Sequence, residues 1–173
     1  MESNSNVKMK TLRLALLSLG ILSVAANCYA KNNCPWINEA TASGLLGGDA
    51  VNEFTEASGG QPAVCTITQT GTGFTRTLRI TMEVVPDTHA RWQTAIQACG
   101  KNAAALQAIG NEASMCLLDN RTSGLVELVV GRVRDQLFTI TMSTTLKDDL
   151  ILTKMSLKEK AYTASEQVAG NLF

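Results

Sequence analysis

The chain has 173 residues, 15 of them basic and 15 acidic, with a single histidine and no formal net charge. That balance argues against nucleic acid or an anionic membrane as the main partner, since both need a surplus of positive charge. One domain is the expectation for this length.

The N-terminus has the order of a secretory leader. Lys8, Lys10 and Arg13 precede a run from Leu14 to Ala26 that is apolar apart from Ser18 and Ser23. The run is short for a membrane span, and small residues follow it. Cys28-Tyr29-Ala30 places small residues at −3 and −1, so cleavage after Ala30 is the first choice. Val24-Ala25-Ala26 is a competing site that would leave Cys28 in the mature chain. Lipidation of Cys28 needs a small residue directly before it, and Asn27 stands there, which argues against an anchor. Residues 1–30 are read as a signal peptide and 31–173 as a single exported domain, periplasmic or secreted. The leader holds three of the basic residues and one acidic, so the mature chain carries 12 and 14, a net charge of −2. No second long apolar run follows, so no transmembrane segment is expected after leader cleavage.

Four cysteines then remain: Cys34, Cys65, Cys99 and Cys116. An even number in an exported chain points to disulfides. Three pairings are open. Local organisation favours Cys34–Cys65 and Cys99–Cys116, each joining a helical segment to the strand that follows. A metal role lacks support, with no Cys-x-x-Cys and only one histidine. No cofactor motif is present.

Along the chain, Asn38 reads as the N-cap of a short helix that ends at Gly47-Gly48. Residues 49–63, with Ser58, Gly59, Gly60 and Pro62, read as a loop. Cys65 opens a strand, residues 70–73 turn, and Phe74 to Val84 alternate apolar and polar residues at a period of two. Arg76 falls on the apolar side, where its head is expected to reach solvent. Pro86-Asp87-Thr88 caps a helix whose stripe is His89, Trp92, Ile96, Cys99, Ala103 and Leu106, with Gly100 as a weak point. IGNEA (109–113) leads to the strand SMCLL, and 119–124 read as a turn. Asn120-Arg121-Thr122 matches a glycosylation acceptor but is read as part of that turn. LVELVVGRV (125–133) is apolar on both faces, which predicts a central strand. Arg134-Asp135 forms the next tip, and QLFTITMST alternates. Ser156 and Glu159 read as a capping box opening a C-terminal helix.

The predicted fold is α+β. It is a single antiparallel sheet of about five strands with helices packed on one face, in the order α-β-β-α-β-β-β-α. The stretches starting at Cys34 and Cys99 share an outline of helix, glycine, cysteine-bearing strand, turn and long strand, a faint internal duplication.

CPWINEATASGLLGG, the CTIT strand, IGNEA and VVGRVRDQLFTI together resemble small exported bacterial proteins. Those begin with Cys-Pro, pass through a Leu-Leu-Gly helix and use a Gly-x-Glu-Ala turn. The pattern is distantly similar to the extracellular sensor domain of a mycobacterial serine/threonine kinase. The resemblance implies an α+β sheet held by disulfides and carries no catalytic residues.

Two functions follow. The first is a non-enzymatic binding or envelope-associated module. Its polar sheet face would carry Thr75, Thr77, Arg79, Thr81, Thr139, Thr141 and Ser143 towards a protein or glycan. A sharper version places a small apolar ligand near Trp92, Met82 and Phe138. The alternative is a small cleft enzyme, a hydrolase or isomerase, using His89 with Glu112, the one convergent polar pair that can be named. Arg91 and Glu112 are otherwise expected in surface ion pairs. Asp148-Asp149 are expected in a solvated loop.

Overall fold

The computed structural model describes residues 33–120 and 124–173. The leader, both cleavage positions and Cys28 lie outside these residues. So do Arg121 and Thr122 at the centre of the expected turn.

The chain runs α1 (Glu39–Leu46), β1 (Val51–Thr55), β2 (Ala63–Gly71), β3 (Phe74–Val84) and α2 (Thr88–Ile96), followed by a 3-10 segment (Gln97–Asn102). Next come β4 (Ala104–Ala105), β5 (Glu112–Asn120), β6 (Gly124–Val133), β7 (Gln136–Thr144) and α3 (Lys154–Gly170). All seven strands form one sheet in the order β1-β2-β3-β7-β6-β5-β4, and every pairing is antiparallel. The α+β class and the antiparallel sheet agree with the sequence. The count of about five strands does not, because β1 and β4 lie at the two edges as short strands. β1 falls inside the stretch read as a loop. Its five residues alternate enough to place Asn52 and Phe54 inwards, but five residues beside Gly, Ser and Pro leave little periodic signal.

The helices also cover both faces, not one. Leu78, Ile80, Met82, Val129, Phe138, Ile140 and Met142 share a core with Leu46 of α1 and Leu157, Ala161, Ala164 and Val168 of α3. Residues of opposite parity, Cys116, Leu128, Val130 and Leu137, form a second cluster with Cys99, against which Trp92 of α2 packs. β6 therefore buries both sides, as its doubly apolar sequence requires. Gly131 has no side chain because the Phe138 ring lies against it in the paired strand, where a Cβ would collide.

The helix ends follow local chemistry. Asn38 Oδ1 accepts the Thr41 N–H at 2.8 Å, and Gly47 closes α1 at φ 85° in the left-handed region that glycine enters without penalty. Asp87 caps α2 through the Ala90 N–H at 2.9 Å. The expected stripe ends early. Gly100, at φ 53°, breaks the helical path, so Ala103 and Leu106 leave the helix and β4 forms. The cap of α3 is Thr153, whose hydroxyl accepts the Ser156 N–H at 3.2 Å. Ser156 is thus the third helical residue and not the cap.

Both favoured disulfides are formed: Cys34–Cys65 in the main core and Cys99–Cys116 in the second cluster. The first ties the segment before α1 to β2, with Trp36 set edge-on to Phe54 at 5.6 Å. Asn171 Nδ2 donates to the Trp36 carbonyl at 2.8 Å and fastens the C-terminus to the same segment.

The outline shared by the two cysteine-bearing halves has a topological counterpart. Strand directions alternate across an antiparallel sheet. β1, β2 and β3 therefore match β4, β5 and β6 in direction and order on either side of β7. Such a match about an in-plane axis exchanges the faces. Accordingly α1 with Cys34–Cys65 lies on one face, and α2 with Cys99–Cys116 on the other.

Candidate functional site

Glu127 is the one acidic residue in β6. Its register opposite Leu117 and Met142 and its parity with Val129 direct it to the face under α3. The strand is central, so its carboxylate is carried into the interior and the residue is only 2% exposed. Among the described residues no hydrogen bond or ion pair reaches it. No fully enclosed side-chain oxygen or nitrogen lacks a partner there. The Glu127 oxygens therefore keep a narrow opening, and it leads into a cleft of about 760 Å³ between α3 and the β4–β5 edge.

The cleft has three kinds of wall. Met115, Leu117 and Met155 are apolar, Ala104 and Asn102 belong to the edge, and Lys154 and Lys158 stand at the start of α3. A smaller hollow of about 300 Å³ adjoins it, with Leu106, Met115, Met155 and Tyr162 in its walls beside Lys158 and Glu159. Met155 is 80% exposed. Burial raises the Glu127 pKa above the ordinary carboxylate value, and the positive charges of Lys158 and Lys154 only partly offset it. A carboxylate held this way is costly to ionise unless a donor is supplied.

The signal for Glu127 was present in the sequence as a lone charge inside LVELVVGRV. A charged residue on a strand buried on both faces has no route to solvent along its short stem. Reading the strand only for its apolar character passes over it.

The residues expected to surround a small apolar ligand are not brought together. Met82 and Phe138 are register partners in the main core, 5% and 0% exposed. Trp92 lies across the sheet in the second cluster, its Nε1–H donating to the Val130 carbonyl at 3.2 Å.

His89 and Glu112 do meet. Nδ1 of His89 lies 2.8 Å from Glu112 Oε2, and the Nε of Arg132 donates to that same oxygen at 2.7 Å. The Arg132 and His89 hydrogen bonds lower the Glu112 pKa, in that order. Nε2 of His89 is 3.0 Å from the Gln93 amide, and the ring stacks on Trp92 at 6.0 Å. Both imidazole nitrogens thus have protein partners, at a side chain half open to solvent. Arg91 forms its own surface pair with Glu83 at 3.0 Å.

The polar sheet face is aligned across strands. Thr68, Thr77 and Ser143 form one row, and Thr66, Arg79 and Thr141 a second, with Glu53 beside Thr66. Val64, Thr81 and Thr139 form a third. A shallow depression of about 420 Å³ lies over Thr66, Val64 and Arg79 near the β1 edge.

Arg76 and Asp149 are both buried, which overturns the expectation of a solvent-reaching head and, at Asp149 though not at the exposed Asp148, that of a solvated loop. Arg76 makes a two-pronged pair with Asp149 at 2.7 and 2.8 Å. It also donates to the Leu46 carbonyl at 3.1 Å. Lys160 donates to the neighbouring Leu45 carbonyl at 2.7 Å. The two cations complete the C-terminal end of α1, where unpaired carbonyls carry partial negative charge.

Among the described residues no group of three or more His, Cys, Asp and Glu could hold a metal ion. No helix there is long and apolar enough to cross a membrane. No family model, curated protein or solved structure matches the chain.

Proposed function

We propose that the protein is an exported, disulfide-stabilised, non-enzymatic binding module that holds a small ligand in the cleft between α3 and the β4–β5 edge. The observation that carries this is Glu127, a buried carboxylate with no hydrogen-bond or ion-pair partner among the described residues, in the wall of that cleft. A buried polar group without a donor destabilises a fold by about 1–3 kcal/mol, and a ligand supplying the donor removes that cost. The cleft volume lies within the range of small-molecule sites. Two disulfides support an oxidising compartment, and the leader-like N-terminus supports export. The resemblance of CPWINEATASGLLGG and IGNEA to small exported bacterial proteins supports the same placement.

The enzymatic reading with His89 has weaker support. A general base needs a nitrogen free to meet substrate, and both nitrogens of His89 are engaged. A protein or glycan partner would find its surface on the aligned threonine face.

The test is methyl NMR on the unreduced protein with a small-molecule extract of its own cell envelope. Shifts at Met115 and Met155, abolished by Ala104→Trp, are expected, because Ala104 is an exposed cleft wall. Shifts confined to the Thr66, Thr81 and Thr141 methyls would move the function to the threonine face.

A further inference from the structure

Resting on the cleft reading, we infer that its ligand is a small zwitterion with an apolar side chain, an α-amino acid or similar molecule. The ammonium group would meet Glu127 on the floor, and the carboxylate would meet Lys154 and Lys158 at the mouth.

The charge layout selects this class by elimination. A simple cation is drawn to Glu127 but must pass two lysines. A simple anion is drawn to the lysines but approaches a buried carboxylate. A zwitterion gives Glu127 a donor and places its carboxylate between the two lysines.

The position of the lysines on α3 also favours an anion. They lie four residues apart, one turn, at the start of α3, where the helix dipole is positive. The first turn carries no acidic residue. Cations there oppose the dipole, and neither lysine is in an ion pair with Glu127.

The apolar body has its own place. Met115 and Leu117 line one wall and Met155 the other, and the adjoining hollow adds Leu106 and Tyr162, with Lys158 and Glu159 beside them. Methionine walls adapt to branched or unbranched side chains.

The matched probes are leucine, 3-methylbutylamine, which lacks the carboxylate, and 4-methylpentanoate, which lacks the amine. Each is titrated into the full disulfide-bonded protein while the Met115 and Met155 methyl resonances are followed. Leucine is expected to bind at least tenfold more tightly than either fragment. Glu127→Gln should bring leucine and 4-methylpentanoate to within threefold of each other. Lys154→Met with Lys158→Met should do the same for leucine and 3-methylbutylamine. Gln is isosteric with Glu and removes a buried charge, and the lysines are exposed, so folding is not at risk. A fragment binding as tightly as leucine, or preferences that survive both variants, overturns the zwitterion while leaving the cleft as a binding site. If none of the three moves the methyls, the zwitterion is likewise overturned. The Ala104→Trp comparison with envelope extract then decides whether the cleft reading falls with it.

Discussion

Arg76 and Asp149, 73 residues apart in sequence, close a buried two-pronged ion pair that joins β3 to the segment between β7 and α3. Asp149 also accepts the Thr144 hydroxyl at 2.6 Å and the Ile151 and Leu152 N–H groups at 2.8 and 2.9 Å. Burial alone would raise its pKa. The Arg76, Thr144 and backbone hydrogen bonds outweigh burial and hold it well below the usual carboxylate range.

Removing one partner strands a buried charge, so Arg76→Met or Asp149→Asn should each destabilise by about 3–5 kcal/mol. The double variant Arg76→Met/Asp149→Asn should cost less than the sum of the two single changes. Urea unfolding of all four proteins checks both statements. The pH sign follows from the lowered pKa. The stabilisation is present above the ordinary Asp value of 3.8, and is lost as pH falls below it towards the folded-state pKa. Arg76→Met should therefore differ most from the parent at neutral pH and converge with it in acid.

The two disulfides close loops of different length, with separations of 31 and 17 residues. By chain entropy the shorter contributes about 3 kcal/mol and the longer about half a kcal/mol more. Cys99→Ala/Cys116→Ala should unfold at lower urea than the parent, and Cys34→Ala/Cys65→Ala at lower urea still. The core also favours that ranking, because Cys65 is fully buried opposite Ile80 in the main core. The reverse order would show that the second cluster contributes more than its size suggests.

β3 and β7 were legible because a period of two over eleven and nine residues has no competing explanation, and the tip at Arg134-Asp135 lies between β6 and β7 as expected. The cysteine pairing was legible because each bridge joins neighbouring elements. β4 was not, since two residues have no period. The placement of helices on both faces is implicit in β6, because a strand apolar on both sides requires cover on both sides. The same holds for Arg76. A cation on an apolar face near a strand end allows either solvent or a buried partner, and that partner, Asp149, arrives from a distant segment that local pattern cannot reach. Trp92, Met82 and Phe138 are large apolar residues, a character that marks core as readily as pocket. Glu127 was marked by charge in an apolar strand.

His89 separates the binding reading from the enzymatic one. Its side chain is half exposed and its partner Glu112 is also held by Arg132. His89→Ala should change stability by no more than about 1 kcal/mol, as for exposed pairs. Ligand-induced shifts at Met115 and Met155 should be unchanged. Loss of any turnover detected in the parent, with those shifts intact, would favour the enzyme.

Glu127 predicts an opposition between stability and binding. With no ligand present, its buried charge lacks a donor, so Glu127→Gln and Glu127→Leu should both stabilise the free protein, by about 1–3 kcal/mol for the leucine variant. Its raised pKa sets the sign with pH. The group opposes folding least below the ordinary Glu value of 4.5, and its cost grows as pH rises through the folded-state pKa. The advantage of Glu127→Gln over the parent in thermal unfolding should therefore be largest near neutral pH and shrink in acid, the same pH trend as the deficit of Arg76→Met but with opposite sign. Residues kept for packing lose stability when changed, whereas residues kept for a ligand can gain it. A Glu127→Leu protein that melts lower than its parent at neutral pH would mean that the carboxylate already has a stabilising partner in solution, and the cleft would lose its claim to be a binding site.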